Sequence, residues 1–100
     1  MRLFTINKIE RWCNNEELSK LIDALNCQDP EIRKASVLCL GSMGNAVALE
    51  PLEYLANHDP DVFVRFDATK AIENIKLIGY DSRINMNPEM VQPILNLNVS

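Results

Sequence analysis

The sequence contains few of the residues on which catalysis and metal binding usually depend. It has one histidine, three cysteines and three glycines among its 100 residues. The histidine, His58, has no second histidine to share a metal ion, so we interpret it as a polar loop residue. Gly41 and Gly44 lie at the end of a helical pattern and not at the start of one, which excludes a phosphate-binding loop. We therefore expect no catalytic residue, no metal and no cofactor.

Basic charge is scarce as well. The chain has 10 lysines and arginines against 14 aspartates and glutamates, which gives a net charge of −4 at pH 7. The lysines are dispersed along the sequence, whereas a surface that binds nucleic acid needs a basic stripe. We expect neither nucleic acid nor an anionic membrane as a partner.

Long apolar runs are missing. The longest stretch without a charged residue, 35–49, is shorter than the ~18 residues that cross a bilayer. The N-terminal segment is charged every few residues and holds no apolar run of signal-peptide length. Cys13, Cys27 and Cys39 are an odd number without a CxxC pair, which is typical of reduced thiols. These features predict a cytoplasmic protein without a membrane span, with Cys39 as a small core residue.

The clearest positive feature is an internal repeat. Asp29-Pro30 recurs as Asp59-Pro60, and each pair follows an apolar pattern with the spacing of one helix face. Aspartate is a good N-cap, and proline at the next position loses no useful amide, so each pair is predicted to open a second helix. The sequence thus encodes a helical hairpin twice, and the fold class is all-α.

The second helices of the two units match in detail. Residues 32–43 align without gaps on residues 64–75, with the arginines, small residues and aliphatics in the same places, although Glu73 stands opposite Gly41. The Asp-Pro pairs are 30 residues apart and the arginines 32. The second unit therefore carries two extra residues around 61–64, where we expect a longer turn or an irregular first helical turn.

With these motifs the sequence resembles HEAT repeats, in particular the short bacterial kind related to those of phycobilisome lyases. The motif that carries the resemblance begins Asp29-Pro30-Glu31-Ile32-Arg33, and the similarity covers about residues 15–77. It implies an armadillo-like α-solenoid, an alpha-alpha superhelix in which antiparallel helix pairs stack side by side. The family consists of scaffolds and adaptors with occasional enzymes.

The resemblance divides the chain into four segments. These are an N-terminal capping helix (1–13), a first HEAT-like repeat (14–45), a second HEAT-like repeat (46–78) and a polar tail or C-terminal capping segment (79–100). About three repeats are usually needed for a stable solenoid. Either the N-terminal helix and the tail close the two ends, or another copy of the chain closes them in a homo-oligomer.

Helix boundaries follow from caps and breakers. Asn14 or Asn15 is expected to cap the first helix of the first repeat. Because proline disrupts a helix interior, Pro51 indicates that the third repeat helix begins just before it or is kinked early. The fourth helix is predicted to run from Pro60 to about Leu77 and to stop before the third glycine.

Four charged residues form a distinctive set: Asp29, Arg33, Asp59 and Arg65. They could form an ion-binding or acid–base cluster, or a structural ladder in which each arginine bonds loop carboxylates and carbonyls of its own or the adjoining repeat. The resemblance to HEAT repeats implies the structural ladder.

In this repeat class the second helices line the concave face. The positions predicted to point outward there are Lys34, Leu38, Ser42, Phe66, Lys70 and Asn74. Two lysines that frame Leu38 and Phe66 are typical of a docking groove for a protein or peptide, with the aromatic as anchor. Alternatively, Leu38 and Phe66 pack on the N-terminal helix, the tail or a sister chain.

The sequence therefore predicts a non-enzymatic interaction module, a scaffold or adaptor that binds a protein or peptide on its concave face. The repeat subtype suggests a second hypothesis, a phycobilin lyase-type subunit or chaperone, which rests on analogy with the family.

Overall fold

A computed structural model describes residues 4–86, and side chains for residues 4–79. Regular structure in this range is entirely helical, which confirms the all-α prediction. The elements are α1 (Ile6–Asn14), α2 (Leu18–Ala24), α3 (Pro30–Met43), a 3₁₀ turn (Ala46–Ala48), α4 (Leu49–His58) and α5 (Val62–Met86). None of these helices is long and apolar enough to cross a membrane. Of the predicted C-terminal segment 79–100, residues 87–100 lie outside the described range.

Two helical hairpins, α2–α3 and α4–α5, stack on each other. The most extensive contacts join α3 with α5 and α4 with α5, and α1 packs on both helices of the first hairpin. This is the arrangement of an α-solenoid, with α1 at its N-terminal end. The apolar residues that stack the layers recur three or four positions apart, as a buried helix face requires.

The core lies between the hairpins and continues under α1. Each aliphatic side chain that is removed from water there stabilises the fold by about 1.5–3 kcal/mol. The large aliphatic residues of the core are Ile9, Leu21, Leu25, Ile32, Val37, Leu40, Leu52, Leu55, Val64 and Ile75.

The N-terminal helix α1 is short and begins at a capping threonine. The amide of Lys8 donates to Thr5 Oγ1 over 3.2 Å. Ile9 is buried, while the half-buried Trp12 meets Phe4 edge-to-face at 5.8 Å between ring centroids. A nine-residue helix is not stable alone in water, so α1 depends on these contacts.

The cysteines correct the sequence prediction. Cys13 of α1 and Cys39 of α3 form a disulfide with their Cα atoms 5.8 Å apart, and Cys27 is free and half-buried. The prediction of three reduced thiols is therefore wrong for this pair, and Cys39 is half-buried rather than part of the core. Disulfides are rare in reducing compartments, so the cysteines do not support the cytoplasmic prediction.

The predicted cap of the first repeat is also wrong. Asn14 is the last residue of α1, and α2 begins at Leu18 after Glu17, which makes no side-chain capping bond. The chain turns sharply in between, because Glu16 adopts the left-handed region with φ of 55° and the Glu17 amide donates back to the Trp12 carbonyl.

Two other helix starts follow the sequence. Asp29 caps α3 by accepting the amide of Glu31 at 2.9 Å, with proline as the first helical residue. Helix α4 begins at Leu49, so Pro51 lies in its first turn. Proline is tolerated there because amides of the first turn have no partner within the helix.

The start of α5 departs from the prediction. The helix begins at Val62 and not at Pro60. Its cap is Asp61, whose Oδ1 accepts the amides of Phe63 at 2.7 Å and of Val64 at 3.2 Å. The two extra residues thus lengthen the turn, as expected, and they supply a new cap in place of Asp59.

The end of α5 is also later than predicted. The helix passes through Gly79 and continues to Met86. An added Cβ at Gly79 would have no neighbour within 4 Å among the residues whose side chains are described, so no packing or turn within that part of the chain requires glycine there. Gly44, by contrast, does end α3, with the left-handed φ of 70° that a helix C-cap often needs.

Candidate docking groove between the second helices

Helices α3 and α5 run parallel and approach closely at a pair of small residues. A Cβ added to Gly41 would lie 2.9 Å from Ala71 Cβ, closer than real Cβ atoms come, and 3.1 Å from the Ala71 Cα. Farther along both helices, Gly44 faces Ile78 in the same way. The absence of a side chain at Gly41 therefore allows the two second helices to meet.

Above this contact the two helices form a groove of about 300 Å³ that opens on the surface. It is lined by Leu38, Gly41, Ser42, Asp67, Lys70, Ala71 and Asn74. Four residues that the sequence assigned to a partner surface line it together, namely Leu38, Ser42, Lys70 and Asn74. Lys34 and Phe66 lie on the same helices but outside this lining.

Asn74 has a structural contact in addition to its place in the groove. Its Nδ2 donates to the Gly41 carbonyl over 2.8 Å. That carbonyl lies in the last turn of α3, where carbonyls lack a donor within the helix. The asparagine therefore ties α5 to the end of α3 and fixes one end of the groove.

Leu38 and Phe66 are the two apolar side chains of the predicted surface, and both are largely exposed beside the groove. They are 60% and 61% exposed. Helix α1 therefore does not cover them, and the prediction that they pack on the N-terminal helix is wrong. Packing of these two side chains on the tail or on a sister chain would involve groups outside the described residues, so it stays a prediction.

Two lysine ammonium groups lie over phenyl rings next to the groove. Lys70 Nζ is 5.9 Å from the ring centroid of Phe66, one helical turn away. Lys34 Nζ reaches across from α3 to the ring of Phe63 at 5.6 Å. Both distances lie near the outer limit of about 6 Å for a cation–π contact, and both rings are largely exposed.

Phe63 belongs to this surface, and sequence reasoning missed it. Its side chain is 65% exposed, more than that of Phe66. It directly precedes Val64, so it stands opposite Glu31 in the alignment of the second helices, and the first repeat has no aromatic residue there that could mark its position. Its place three residues before Phe66, on the same face of α5, was the available signal.

The Lys34 side chain is held by an ion pair and stays charged. Its Nζ pairs with Glu31 Oε2 at 3.0 Å. The hydrogen bond to Glu31 raises the pKa of Lys34 above its ordinary value of 10.5, against a smaller opposing effect of desolvation, and the nearby Asp61 and Asp67 act in the same direction as Glu31. The side chain is therefore charged at neutral pH and serves as a cation and not as a base.

The charged set centres on Arg33, away from the groove. Its Nε and Nη2 donate to the two carboxylate oxygens of Asp59 at 2.8 and 2.9 Å. Its Nη1 donates to the carbonyls of Cys27 at 2.8 Å and Gln28 at 3.0 Å. One buried guanidinium thus joins the turn of its own hairpin to the turn of the next.

Arg65 repeats half of this pattern. Its Nη1 donates to the Asp59 carbonyl over 2.6 Å, six residues back, just as Arg33 reaches the Cys27 carbonyl six residues back. The structure therefore brings Arg33, Asp59 and Arg65 together, while Asp29 caps its own helix. This engagement with backbone and cap groups favours the ladder over an acid–base cluster.

His58 is the last residue of α4 and not a loop residue. Its ring stacks on Tyr54 with 4.4 Å between centroids, and its Nδ1 lies 3.0 Å from the Tyr54 carbonyl. No group of three or more histidine, cysteine or acidic side chains among the residues with described side chains could hold a metal ion. The expectation that the chain needs no metal stays a prediction.

Comparison with known proteins identifies a family. A family model described as HEAT repeats matches residues 1–73, from the N-terminal segment through α4 and into α5. No curated protein is significantly similar to the chain, and neither is any solved structure.

Proposed function

Because this chain belongs to the HEAT-repeat family, we propose that it is a non-enzymatic interaction module that binds a protein or peptide in the groove between α3 and α5. HEAT repeats commonly mediate protein–protein interaction. The observation that carries the proposal is the exposure of Leu38 and Phe66 beside a groove on two packed helices. A partner that covered them would gain the free energy of apolar burial, about 25 cal/mol for each Å² removed from water.

The rigidity of the groove supports the same proposal. Binding energy concentrates in a few aromatic and aliphatic anchors that fill well-packed sites. The helices beneath Leu38 and Phe66 are held together by the close Gly41–Ala71 contact and by the Asn74 bond. The anchors are thus already placed on a fixed backbone, so little backbone entropy is lost when a partner docks.

Polar groups at the groove offer specificity. Within the residues whose side chains are described, no carboxylate lies within ion-pair distance of Lys70. Its ammonium group is therefore available to a carboxylate of the partner, and the exposed hydroxyl of Ser42 can donate or accept a hydrogen bond. Rim charges of this kind mainly set the association rate and partner choice.

The test is affinity capture of a partner from the source cells with three forms of the chain. These are the wild type, the groove variant Leu38→Ala/Phe66→Ala and the control variant Val47→Ala/Tyr54→Ala. The control changes two side chains of similar exposure, 65% and 63%, that do not line the groove. We expect the groove variant to lose the partner at least about tenfold and the control to retain it, with unchanged thermal stability in both. Equal capture by the groove variant and the wild type would contradict the proposal.

The oligomeric state is part of the proposal. Glu73 is exposed on α5 at the position that Gly41 occupies on α3, where the next helix packs closely. A charged side chain there opposes the approach of another helix, and a polar outer face is what a terminal repeat needs. We infer that a second copy does not stack on α5 in the way that α5 stacks on α3.

No feature of the described residues favours a phycobilin lyase-type subunit or chaperone. That prediction rests on the repeat subtype alone, and a coloured adduct formed from phycobilin and apo-phycobiliprotein in the presence of the chain would test it. Location in the cytoplasm likewise stays a prediction.

A further inference from the structure

The N-terminal helix carries a feature that is independent of the groove. We propose that the Cys13–Cys39 disulfide is a redox-sensitive latch, which holds α1 on the first repeat and whose reduction releases that helix while the rest of the solenoid stays folded.

The position of the disulfide is the first argument. Cys13 lies in the last turn of α1 and Cys39 in the C-terminal half of α3, 26 residues away in the sequence. Cys39 is the repeat equivalent of Ala71, and Ala71 is the residue of α5 that packs on Gly41 of α3. Helix α1 therefore sits on α3 where the second helix of a preceding repeat would sit, with a covalent bond in place of the small-residue contact.

The contacts of α1 are the second argument. Between α3 and α5, the Asn74 bond to Gly41 joins the two helices, and the bidentate Arg33–Asp59 pair joins the two hairpins. Helix α1 has Ile9 as its one fully buried residue and the half-buried Trp12 packed against the core, whereas Ile6 is 43% exposed. A helix of nine residues with so small a buried face is marginal when it is not tethered. The attachment of α1 to α3 therefore depends on the disulfide, whereas α5 is held on α3 by non-covalent contacts.

The partial exposure of the two cysteine residues is the third argument. Both Cys13 and Cys39 are half-buried and neither is enclosed in the core. Thiol–disulfide exchange requires a thiolate to reach one of the two sulfurs. A small dithiol can attack one sulfur to form a mixed disulfide, and its second thiolate then displaces the protein thiolate. The dithiol is oxidised to its cyclic disulfide, while the two cysteines take up two electrons and two protons.

The test is hydrogen exchange on the full chain, oxidised and then reduced with dithiothreitol under native conditions. Cys27→Ser is the background for every sample, because it removes the third thiol and prevents shuffling. Peptides that cover Ile6–Asn14 report on α1, and peptides from Val64 to Ile75 report on α5. A Cys13→Ser/Cys27→Ser chain gives the state without the bond and needs no reductant.

We expect reduction to speed amide exchange in α1 at least about tenfold and to leave exchange in α5 unchanged, with the Cys13→Ser chain matching the reduced one. Three results would each overturn the proposal. One is equal exchange in α1 before and after reduction. Another is an equal rise of the exchange rate in α1 and α5, which would show that the bond stabilises the whole fold. The third is a titration that finds Cys13 and Cys39 as thiols after mild oxidation.

Discussion

Arg33 and Asp59 form a bidentate ion pair between the two repeats, with 10% and 1% of their side-chain surfaces exposed. The same guanidinium bonds two carbonyls of its own hairpin turn. Burial of a charge is costly unless partners surround it, and here the partners come from both repeats. The pair therefore fixes how one hairpin sits on the next.

Removal of this arginine tests the ladder. Arg33→Ala leaves a buried carboxylate without its partner, which we expect to lower the free energy of unfolding by about 3–5 kcal/mol. The control is Lys20→Ala, which breaks the exposed Lys20–Glu17 pair and should cost less than about 1 kcal/mol. Urea unfolding followed by circular dichroism measures both. A change for Arg33→Ala no larger than that for Lys20→Ala would refute the ladder.

Glycine 41 tests the close approach of α3 and α5. Gly41→Ala places a methyl group against Ala71, and we expect a loss of about 1–3 kcal/mol because the helices must separate. Gly79→Ala is the matched control, since no described residue lies within 4 Å of an added Cβ there and alanine stabilises a helix interior by about 0.5–1 kcal/mol relative to glycine. Thermal unfolding should therefore show a lower stability for Gly41→Ala and a higher stability for Gly79→Ala. Stability changes of the same sign in both variants would show that the Gly41–Ala71 contact does not limit how closely α3 and α5 pack.

Replacement of Asp61 tests whether this residue, and not Asp59, caps α5. Asp61→Ala removes the acceptor for the amides of Phe63 and Val64, and we expect a loss of about 0.5–2 kcal/mol. Asp23→Ala, an exposed aspartate inside α2, should change stability by less than about 0.5 kcal/mol. If chemical denaturation finds the two variants equal, Asp61 is not the cap.

Replacement of Ser36 by alanine is expected to stabilise the fold. The Ser36 hydroxyl is fully buried and has no hydrogen-bond partner among the described residues, while the second repeat has the buried Ala68 at the equivalent position. Ser36→Ala should raise the free energy of unfolding by about 1–3 kcal/mol, because an unsatisfied buried hydroxyl is lost. Ser42→Ala on the exposed face of the same helix should bring only the small gain of helix propensity, about 0.5 kcal/mol. Equal stability gains in the two variants would mean that the Ser36 hydroxyl forms a hydrogen bond in solution.

The parts of the fold that the sequence predicts well depend on local chemistry. The Asp29 cap and the position of Pro51 in a first turn follow from the amides that a helix start leaves free. The alignment of the two second helices placed Leu38 and Lys70 on one surface, and the structure brings both to the same groove.

The parts that it misses depend on contacts between distant segments. Asp59 precedes a proline just as Asp29 does, but Arg33 binds its carboxylate across the repeat boundary and Asp61 becomes the cap. The Cys13–Cys39 bond depends on how α1 docks on α3, which no cysteine spacing encodes. Phe63 was missed because its contact with Lys34 exists only once α3 and α5 pack together.

The groove itself is tested most directly by site-specific photo-crosslinking in an extract of the source cells. A photoreactive phenylalanine analogue replaces either Phe66 beside the groove or Tyr54 on α4, two aromatic residues of nearly equal exposure, 61% and 63%. We predict that position 66 yields a defined adduct with one partner protein, that position 54 does not, and that Leu38→Ala weakens the adduct. The same adducts from both positions, or none from position 66, would contradict the proposal that this groove binds a protein.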